Sequence, residues 1–178
     1  NIRIIEGDST NTIATNKTQQ QIADFTGSEE NIKTVQHYLE QKDKLTEAQV
    51  KQLKSNLYKA ANNPQSVKEI VKERIAAETE QTEKLFGFDY KLDGKSVSTN
   101  DIEDRMGSEK NPAARQKVWE ASKEVGKGLK EGLVKLRDLR NKTVQGLGYK
   151  DYFEYQVADY GMTTQEMTDM LKKFNREL

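Results

Sequence analysis

A single histidine and several pairs of acidic residues are the groups in this sequence that could do acid–base chemistry. His37 could act as a general base, and neighbouring carboxylates such as Glu29 and Glu30 could divide acid and base roles between them. However, 33% of the residues are charged, so acidic pairs arise by chance. His37 lies on a predicted helix with Ile32 and Val35, where a lone histidine is more often structural. We therefore predict no catalytic residue in the chain.

Motifs for other chemistry are equally scarce. The sequence has no H-E-x-x-H, no G-x-x-x-x-G-K-[ST] and no G-x-S-x-G pattern. Gly126-Lys127-Gly128 superficially suggests a phosphate loop, but it follows no predicted strand and lies in a helical pattern. The sequons Asn16-Lys17-Thr18 and Asn141-Lys142-Thr143 carry little weight in a chain rich in these residue types. One His and no Cys exclude a disulfide scaffold, a thiolate metal site and a zinc site of the usual kind. We therefore expect no metal-binding and no cofactor-binding residue here.

Length and charge narrow the class of protein further. The chain has 178 residues, enough for one domain, with 29 Lys and Arg balanced by 29 Asp and Glu. This balance argues against a nucleic-acid-binding protein. No apolar run approaches the ~20 residues that a membrane-spanning helix needs, and no signal-peptide segment is visible. Only 34% of the residues are hydrophobic, which favours either a lean domain or one that packs against another part of a protein.

Helix caps predict most of the secondary structure that would position any site. Capping boxes begin at Thr46, Ser66 and Thr163, and each precedes apolar residues at helical spacing. Asn111 followed by Pro112 predicts a further helix start. The sequence therefore predicts an all-α fold, an antiparallel multi-helix bundle with one small β-hairpin excursion.

The hairpin is predicted from alternation. Phe88, Tyr90 and Leu92 alternate with polar residues, and Asp93-Gly94 then supplies a two-residue turn.

Two clusters of residues leave alternatives open. Gly126, Gly128 and Gly132 lie in a helical pattern, where each glycine costs about 1 kcal/mol relative to alanine. They predict either a closely packed neighbouring helix or a bend at Gly126. A second cluster is aromatic, and we interpret it as core rather than as a ligand or partner surface. Its members are Tyr149, Tyr152, Phe153, Tyr155 and Tyr160.

The two ends of the sequence also raise an expectation. Residues 1–10 show no periodicity, the first residue is Asn1, and the last apolar stripe runs to Leu178. We expect a processed product or an excised piece of a longer protein, whose apolar seam could drive dimerisation.

The segment from Lys117 onward resembles a known family. It reads KVWEASKEVG, followed by LKEGLVKLRDLRNKTVQGLGYKDYFEYQVADYGMTTQEM. This segment resembles the N-terminal half of the angiotensin-converting-enzyme family of zinc peptidases (M2), bacterial members most closely. The resemblance lies in the order of three features: a helix with Trp119, a long helix containing Leu136 to Asn141, and the segment Gly148-Tyr149-Lys150-Asp151. The match is strongest over residues 110–178 and plausible over 10–109.

This resemblance implies a mostly helical protein with a deep cleft. The family holds a catalytic zinc with two His of an H-E-x-x-H helix and a downstream Glu, and it releases dipeptides or single residues from peptide C-termini. These ligands are absent from this chain, so zinc is expected only in a full-length protein. The resemblance further implies that residues 1–178 form a single helical unit, with lid helices and hairpin in 1–109 and the long helices of a cleft wall in 110–178. Its partners would be the C-terminal catalytic half of the same polypeptide and peptide substrates, and export is favoured.

This chain departs from the family pattern in two places. Animal members have Trp-Arg where this chain has Gln156-Val157, so no substrate-contacting residue is carried over. The disulfide that closes the hairpin in animal members cannot form without Cys. Two alternatives remain: a self-contained helical interaction module, and the corresponding region of an oligoendopeptidase-like (M3) peptidase, against which the stretch VADYGMTTQEM argues.

Overall fold

The computed structural model describes residues 11–178, and the predicted absence of a periodic element in residues 1–10 lies outside them. The prediction of an all-α chain with one small β-hairpin is confirmed. Short 3₁₀ helices lie at Lys42–Lys44 and Gln65–Val67. In chain order the other elements are α1 (Thr12–Thr26), α2 (Glu29–Glu40), α3 (Glu47–Ala61), α4 (Lys68–Phe86), β1 (Tyr90–Leu92), β2 (Lys95–Val97), α5 (Thr99–Ser108), α6 (Pro112–Lys123), α7 (Val125–Gln145), α8 (Tyr152–Ala158) and α9 (Thr164–Glu177).

The described residues form two compact units. The first contains residues 11–16 and Ala77–Lys135, and the second contains Lys17–Ala76 and Leu136–Leu178. The predicted division of roles between residues 1–109 and 110–178 concerns function and stays a prediction.

Side-chain caps begin several of the helices, as the sequence predicts. The hydroxyl of Thr46 accepts from the backbone N–H of Gln49, whose side chain in turn accepts from the N–H of Thr46. Thr163 forms the same reciprocal pair at the start of α9, and the carboxamide oxygen of Asn111 caps α6 ahead of Pro112. A further box at Ser98 was not predicted, because its N3 partner is an Asp rather than Glu or Gln.

The predicted capping box at Ser66 is wrong. Ser66 lies inside the 3₁₀ turn Gln65–Val67, which runs directly into α4 at Lys68. Pro64 precedes this turn with extended backbone angles, so the chain enters α4 through the turn and not through a side-chain cap.

The core of the first unit joins the hairpin to two helices and to the start of a third. β1 and β2 pair antiparallel, with Tyr90 opposite Val97 and Leu92 opposite Lys95. Asp93 (φ 51°) and Gly94 (φ 77°) form the two-residue turn with the positive φ values that such hairpins need. β1 therefore alternates buried, exposed and buried residues. The buried cluster comprises Tyr90, Leu92, Ile102, Val118, Ala121 and Val125.

The second unit has two separate clusters of buried side chains. One contains Ala23 of α1 with Val71 and Ile75 of α4. The other contains Ala61 at the end of α3, Val144 of α7 and Tyr155 of α8, with further tyrosines around it.

A buried arginine organises the loop between α3 and α4. Arg74 of α4 is only 4% exposed. Its Nη2 donates to the backbone oxygen of Asn62 at 3.0 Å and to Oδ1 of Asn63 at 2.9 Å. A buried guanidinium needs such acceptors, because its desolvation would otherwise cost several kcal/mol. Arg74 therefore fixes the backbone that follows α3.

The same loop presses against the turn between α1 and α2. The N–H of Gln65 donates to the backbone oxygen of Gly27 at 2.8 Å, and Nδ2 of Asn63 donates to Oγ1 of Thr26 at 3.2 Å. A Cβ atom at Gly27 would lie 1.5 Å from the backbone oxygen of Asn63. Only glycine allows this approach of two backbones.

Gly27→Ala should therefore destabilise the second unit by more than about 2 kcal/mol, as overpacking against backbone does. The measurement is urea unfolding followed by circular dichroism. Gly128→Ala is the matched control, because a Cβ there meets nothing within 4 Å and alanine favours helix, so this variant should gain up to about 1 kcal/mol. Equal stability of the Gly27 variant and the wild type would contradict the close approach.

Candidate functional site

His37, the strongest acid–base candidate of the sequence, lies on the exposed face of α2, away from the buried Ile32 and Val35. Its Nε2 is 3.1 Å from Nε2 of Gln41, and its ring meets the edge of Tyr38 with centroids 5.9 Å apart. These neighbours are uncharged, so the structure brings no carboxylate partner to His37 through the contacts it makes.

The described residues offer neither a metal site nor a membrane-spanning helix. Between Asn11 and Leu178, no three His, Asp or Glu side chains are grouped so that they could hold a metal ion. None of the helices within this range combines the length and the apolar character needed to cross a membrane.

The glycines of α7 serve different purposes. Gly126-Lys127-Gly128 is helical, and Nζ of Lys127 lies 2.5 Å from a carboxylate oxygen of Glu124, so it forms no phosphate loop. α6 ends at Lys123 and α7 begins at Val125, so the helical path is interrupted at Glu124. This interruption agrees with the predicted bend near Gly126. Close packing applies at Gly132 instead, where a Cβ would lie 2.0 Å from the side-chain amide of Gln81.

Both sequon asparagines are engaged inside helices. Oδ1 of Asn16 accepts from Thr79, and Oδ1 of Asn141 accepts from the backbone N–H of Tyr152 at 2.9 Å. Thr143 of the second sequon is fully buried. These residues therefore serve the packing of their helices.

Four tyrosines of the second unit pack together as a cluster: Tyr58, Tyr149, Tyr152 and Tyr155. Tyr155 is 5% exposed and stacks on Tyr58 of α3, with centroids 4.4 Å apart and planes 7° from parallel. The Tyr149 ring meets Tyr155 edge-on with centroids 5.4 Å apart, and the centroid of the tilted Tyr152 ring lies 5.5 Å from that of Tyr155. The core interpretation holds for Tyr155, whereas Phe153 and Tyr160 of the predicted cluster are exposed. Tyr58 was missed because it lies far away in the sequence, in a helix that carries no other aromatic residue.

Burial controls the ionisation of this cluster. Desolvation raises the pKa of Tyr155 far above its usual value, and the hydrogen bond with Tyr58 raises it further. Burial also raises the pKa of Tyr58 and of Tyr149. Tyr58, Tyr149 and Tyr155 therefore hold their hydroxyl protons more tightly than free tyrosines do, and the cluster packs α8 against α3.

The alkaline stability of the protein should reflect these shifts. In the unfolded chain Tyr155 ionises near pH 10, and in the folded chain its pKa is higher. The folded state therefore holds the proton more tightly, so stability falls as pH rises above about 10. Tyr155→Phe should lose about 1 kcal/mol at neutral pH with the hydrogen bond but show a shallower decline above pH 10. The measurement is urea unfolding between pH 8 and 11. An unchanged slope would contradict the proposed burial.

Two surface depressions of the first unit are formed by residues of the described part of the chain. A cleft of about 500 Å³ is lined by two cationic and two anionic side chains, among other residues: Arg105, Lys117, Asp93 and Glu109. A smaller groove of about 330 Å³ lies between α5 and α6 and is lined by Met106, Pro112, Arg115, Gln116 and Trp119. The residues that line these two depressions include no histidine.

An exposed apolar face lies on α9 in the second unit. Leu171 is 54% exposed and Phe174 is 50% exposed, although both belong to the predicted apolar stripe of this helix. The face is therefore a candidate contact surface.

Comparison with known proteins shows the family of the chain. A family-level sequence model described as "Angiotensin-converting enzyme" (peptidase M2) matches residues 5–178. No curated protein and no solved structure matches the chain.

Proposed function

Since the chain belongs to the angiotensin-converting-enzyme family of M2 peptidases, we propose that it is the N-terminal, non-catalytic region of a zinc-dependent peptidyl-dipeptidase that trims peptide C-termini. The observation that carries this proposal is the family match, which extends over residues 5–178. In this proposal residues 1–109 supply the lid with its hairpin, and residues 110–178 supply one wall of the substrate cleft.

The residues of this chain do not fit the zinc that the family uses. A catalytic zinc needs three protein ligands, whereas the sequence has a single histidine. That histidine, His37, is exposed beside Gln41. We therefore propose that the zinc ligands and the catalytic Glu belong to a segment outside these 178 residues. Residues 1–178 act by restricting access to the cleft and closing over the peptide.

The activity of the complete polypeptide tests this proposal. Its coding sequence should contain an H-E-x-x-H motif and a further Glu downstream of Leu178. The complete protein should release C-terminal dipeptides, and a chelator or replacement of the motif Glu should abolish the release. The 178-residue chain alone should show no turnover with or without added zinc. A complete polypeptide without this motif, or turnover by the isolated chain, would contradict the proposal.

The apolar face of α9 supports a second element of the proposal, a contact with the catalytic half. A capping box at Thr163 fixes the start of this helix, yet Leu171 and Phe174 remain half exposed. We infer that the C-terminal half of the same polypeptide packs on this face, and that the isolated chain instead dimerises through it.

The isolated chain should therefore sediment as a concentration-dependent dimer and bind a hydrophobic dye. Leu171→Glu combined with Phe174→Glu should shift it to monomer and reduce dye binding, because four charges would enter the paired interface. Ile22→Glu with Phe25→Glu is the matched control on α1, where two exposed apolar residues are replaced in the same way. A monomeric wild-type chain without dye binding would contradict the inference.

A further inference from the structure

Tyr58 of α3 and Tyr155 of α8 lie far apart in the sequence, yet their rings are stacked face to face. The ring centroids are 4.4 Å apart and the ring planes are 7° from parallel. The other two tyrosines of the cluster meet Tyr155 at larger angles, 87° for Tyr149 and 34° for Tyr152. Within the cluster, Tyr58 is therefore the ring that is aligned with the face of Tyr155.

The two hydroxyl groups lie at the same end of this stack, because a hydrogen bond joins the side chains of Tyr58 and Tyr155. In a tyrosine ring, the Cε carbons are bonded to the carbon that carries the hydroxyl. Parallel rings whose hydroxyls meet therefore also bring their Cε carbons together. In a tyrosyl radical, the unpaired electron is shared between the oxygen and these carbons. The atoms that couple in a radical reaction are thus neighbours in the folded chain.

The exposure of the two rings also suits such a reaction. Tyr155 is 5% exposed, so a radical formed on it is shielded from other molecules. Tyr58 is half-buried, so its ring has room to move and its side chain is in contact with water, to which a proton can be released.

The neighbouring tyrosines connect the buried ring to the surface. Tyr149 and Tyr152 are half-buried, and their ring centroids lie 5.4 and 5.5 Å from that of Tyr155. Electrons pass between aromatic rings over such short distances. An oxidant that meets the cluster at the surface can therefore oxidise Tyr155 without entering the core.

We propose that Tyr58 and Tyr155 form a site of oxidative modification, where a one-electron oxidant joins the two rings by a Cε–Cε bond. Each tyrosine loses one electron to the oxidant and its hydroxyl proton to water, and the two radicals couple. Each coupled Cε carbon then releases its hydrogen as a proton while the oxygen of the same ring takes one up, which restores both aromatic rings and both hydroxyls. In total two electrons and two protons leave the protein. The product is dityrosine, which links α3 to α8.

This modification needs neither zinc nor a peptide substrate, so it can fail or succeed independently of the peptidase role. The 178-residue chain is oxidised briefly with light-generated tris(bipyridine)ruthenium(III), a one-electron oxidant. We expect dityrosine fluorescence in the band that migrates as monomer on a denaturing gel, with a yield per chain that does not depend on protein concentration. Mass spectrometry of a digest should find the peptides of Tyr58 and Tyr155 joined, with the loss of two hydrogen atoms. The crosslinked chain should unfold at a higher urea concentration, because the crosslink restricts the unfolded chain.

Phenylalanine variants separate the stacked pair from the other tyrosines. Tyr58→Phe and Tyr155→Phe each keep a ring in the stack but remove the hydroxyl that a tyrosyl radical needs, so each should abolish the monomeric dityrosine. Tyr160→Phe is the matched control, since Tyr160 is 73% exposed and should form crosslinks between chains only. This control should leave the monomeric product unchanged. Circular dichroism confirms that each variant is folded.

Three results would overturn the proposal. The first is a monomer band without dityrosine after oxidation of the folded chain. The second is a monomeric crosslink that maps to another pair, such as Tyr149 with Tyr155. The third is an equal yield of the Tyr58 to Tyr155 crosslink when the chain is oxidised in unfolding concentrations of urea, because the stacked arrangement would then not determine the product.

Discussion

The second unit depends on one buried cation. The guanidinium of Arg74 on α4 is buried. Its charge is tolerated because the carbonyl of Asn62 and the amide oxygen of Asn63, in the loop after α3, accept hydrogen bonds from it. These hydrogen bonds hold the loop in place. Asn63 then lies so close to Gly27 that a side chain at position 27 would not fit. The turn between α1 and α2 and the loop between α3 and α4 are thus held together by hydrogen bonds.

Local signals in the sequence predicted local structure well. The capping boxes at Thr46 and Thr163 and the turn at Asp93-Gly94 each combine residues within a few positions, so their geometry depends little on the rest of the chain. Where tertiary structure overrides a local signal, prediction fails. Ser66 has the right partner for a cap, but the chain reaches α4 through a 3₁₀ turn after Pro64.

Contacts between distant residues could not be predicted. Arg74 resembles any charged residue of a polar helix until the loop at Asn62 is placed beside it. Tyr58 and Tyr155 stack although no pattern in the sequence pairs them. The glycines of α7 show the same limit. The sequence predicted either close packing or a bend, but it did not say which glycine serves which purpose. Only the structure shows that Gly132 makes room for Gln81 while Gly128 meets nothing.

The candidate site consists of exposed surfaces rather than of reactive side chains. Burial raises the pKa of Tyr58, Tyr149 and Tyr155, and His37 lies exposed beside Gln41, so these groups are occupied by packing or left in water. What α6 and α9 offer instead is surface: a groove beside Trp119 and a half-exposed apolar face. The sequence indicated Trp119 through its family resemblance, but its exposure required the structure, because Val118 and Trp119 are equally apolar and only their directions on α6 separate core from surface. In the role proposed for this region, such surfaces would bind and shape a cleft, since closing a cleft relies on rigid helices with complementary faces.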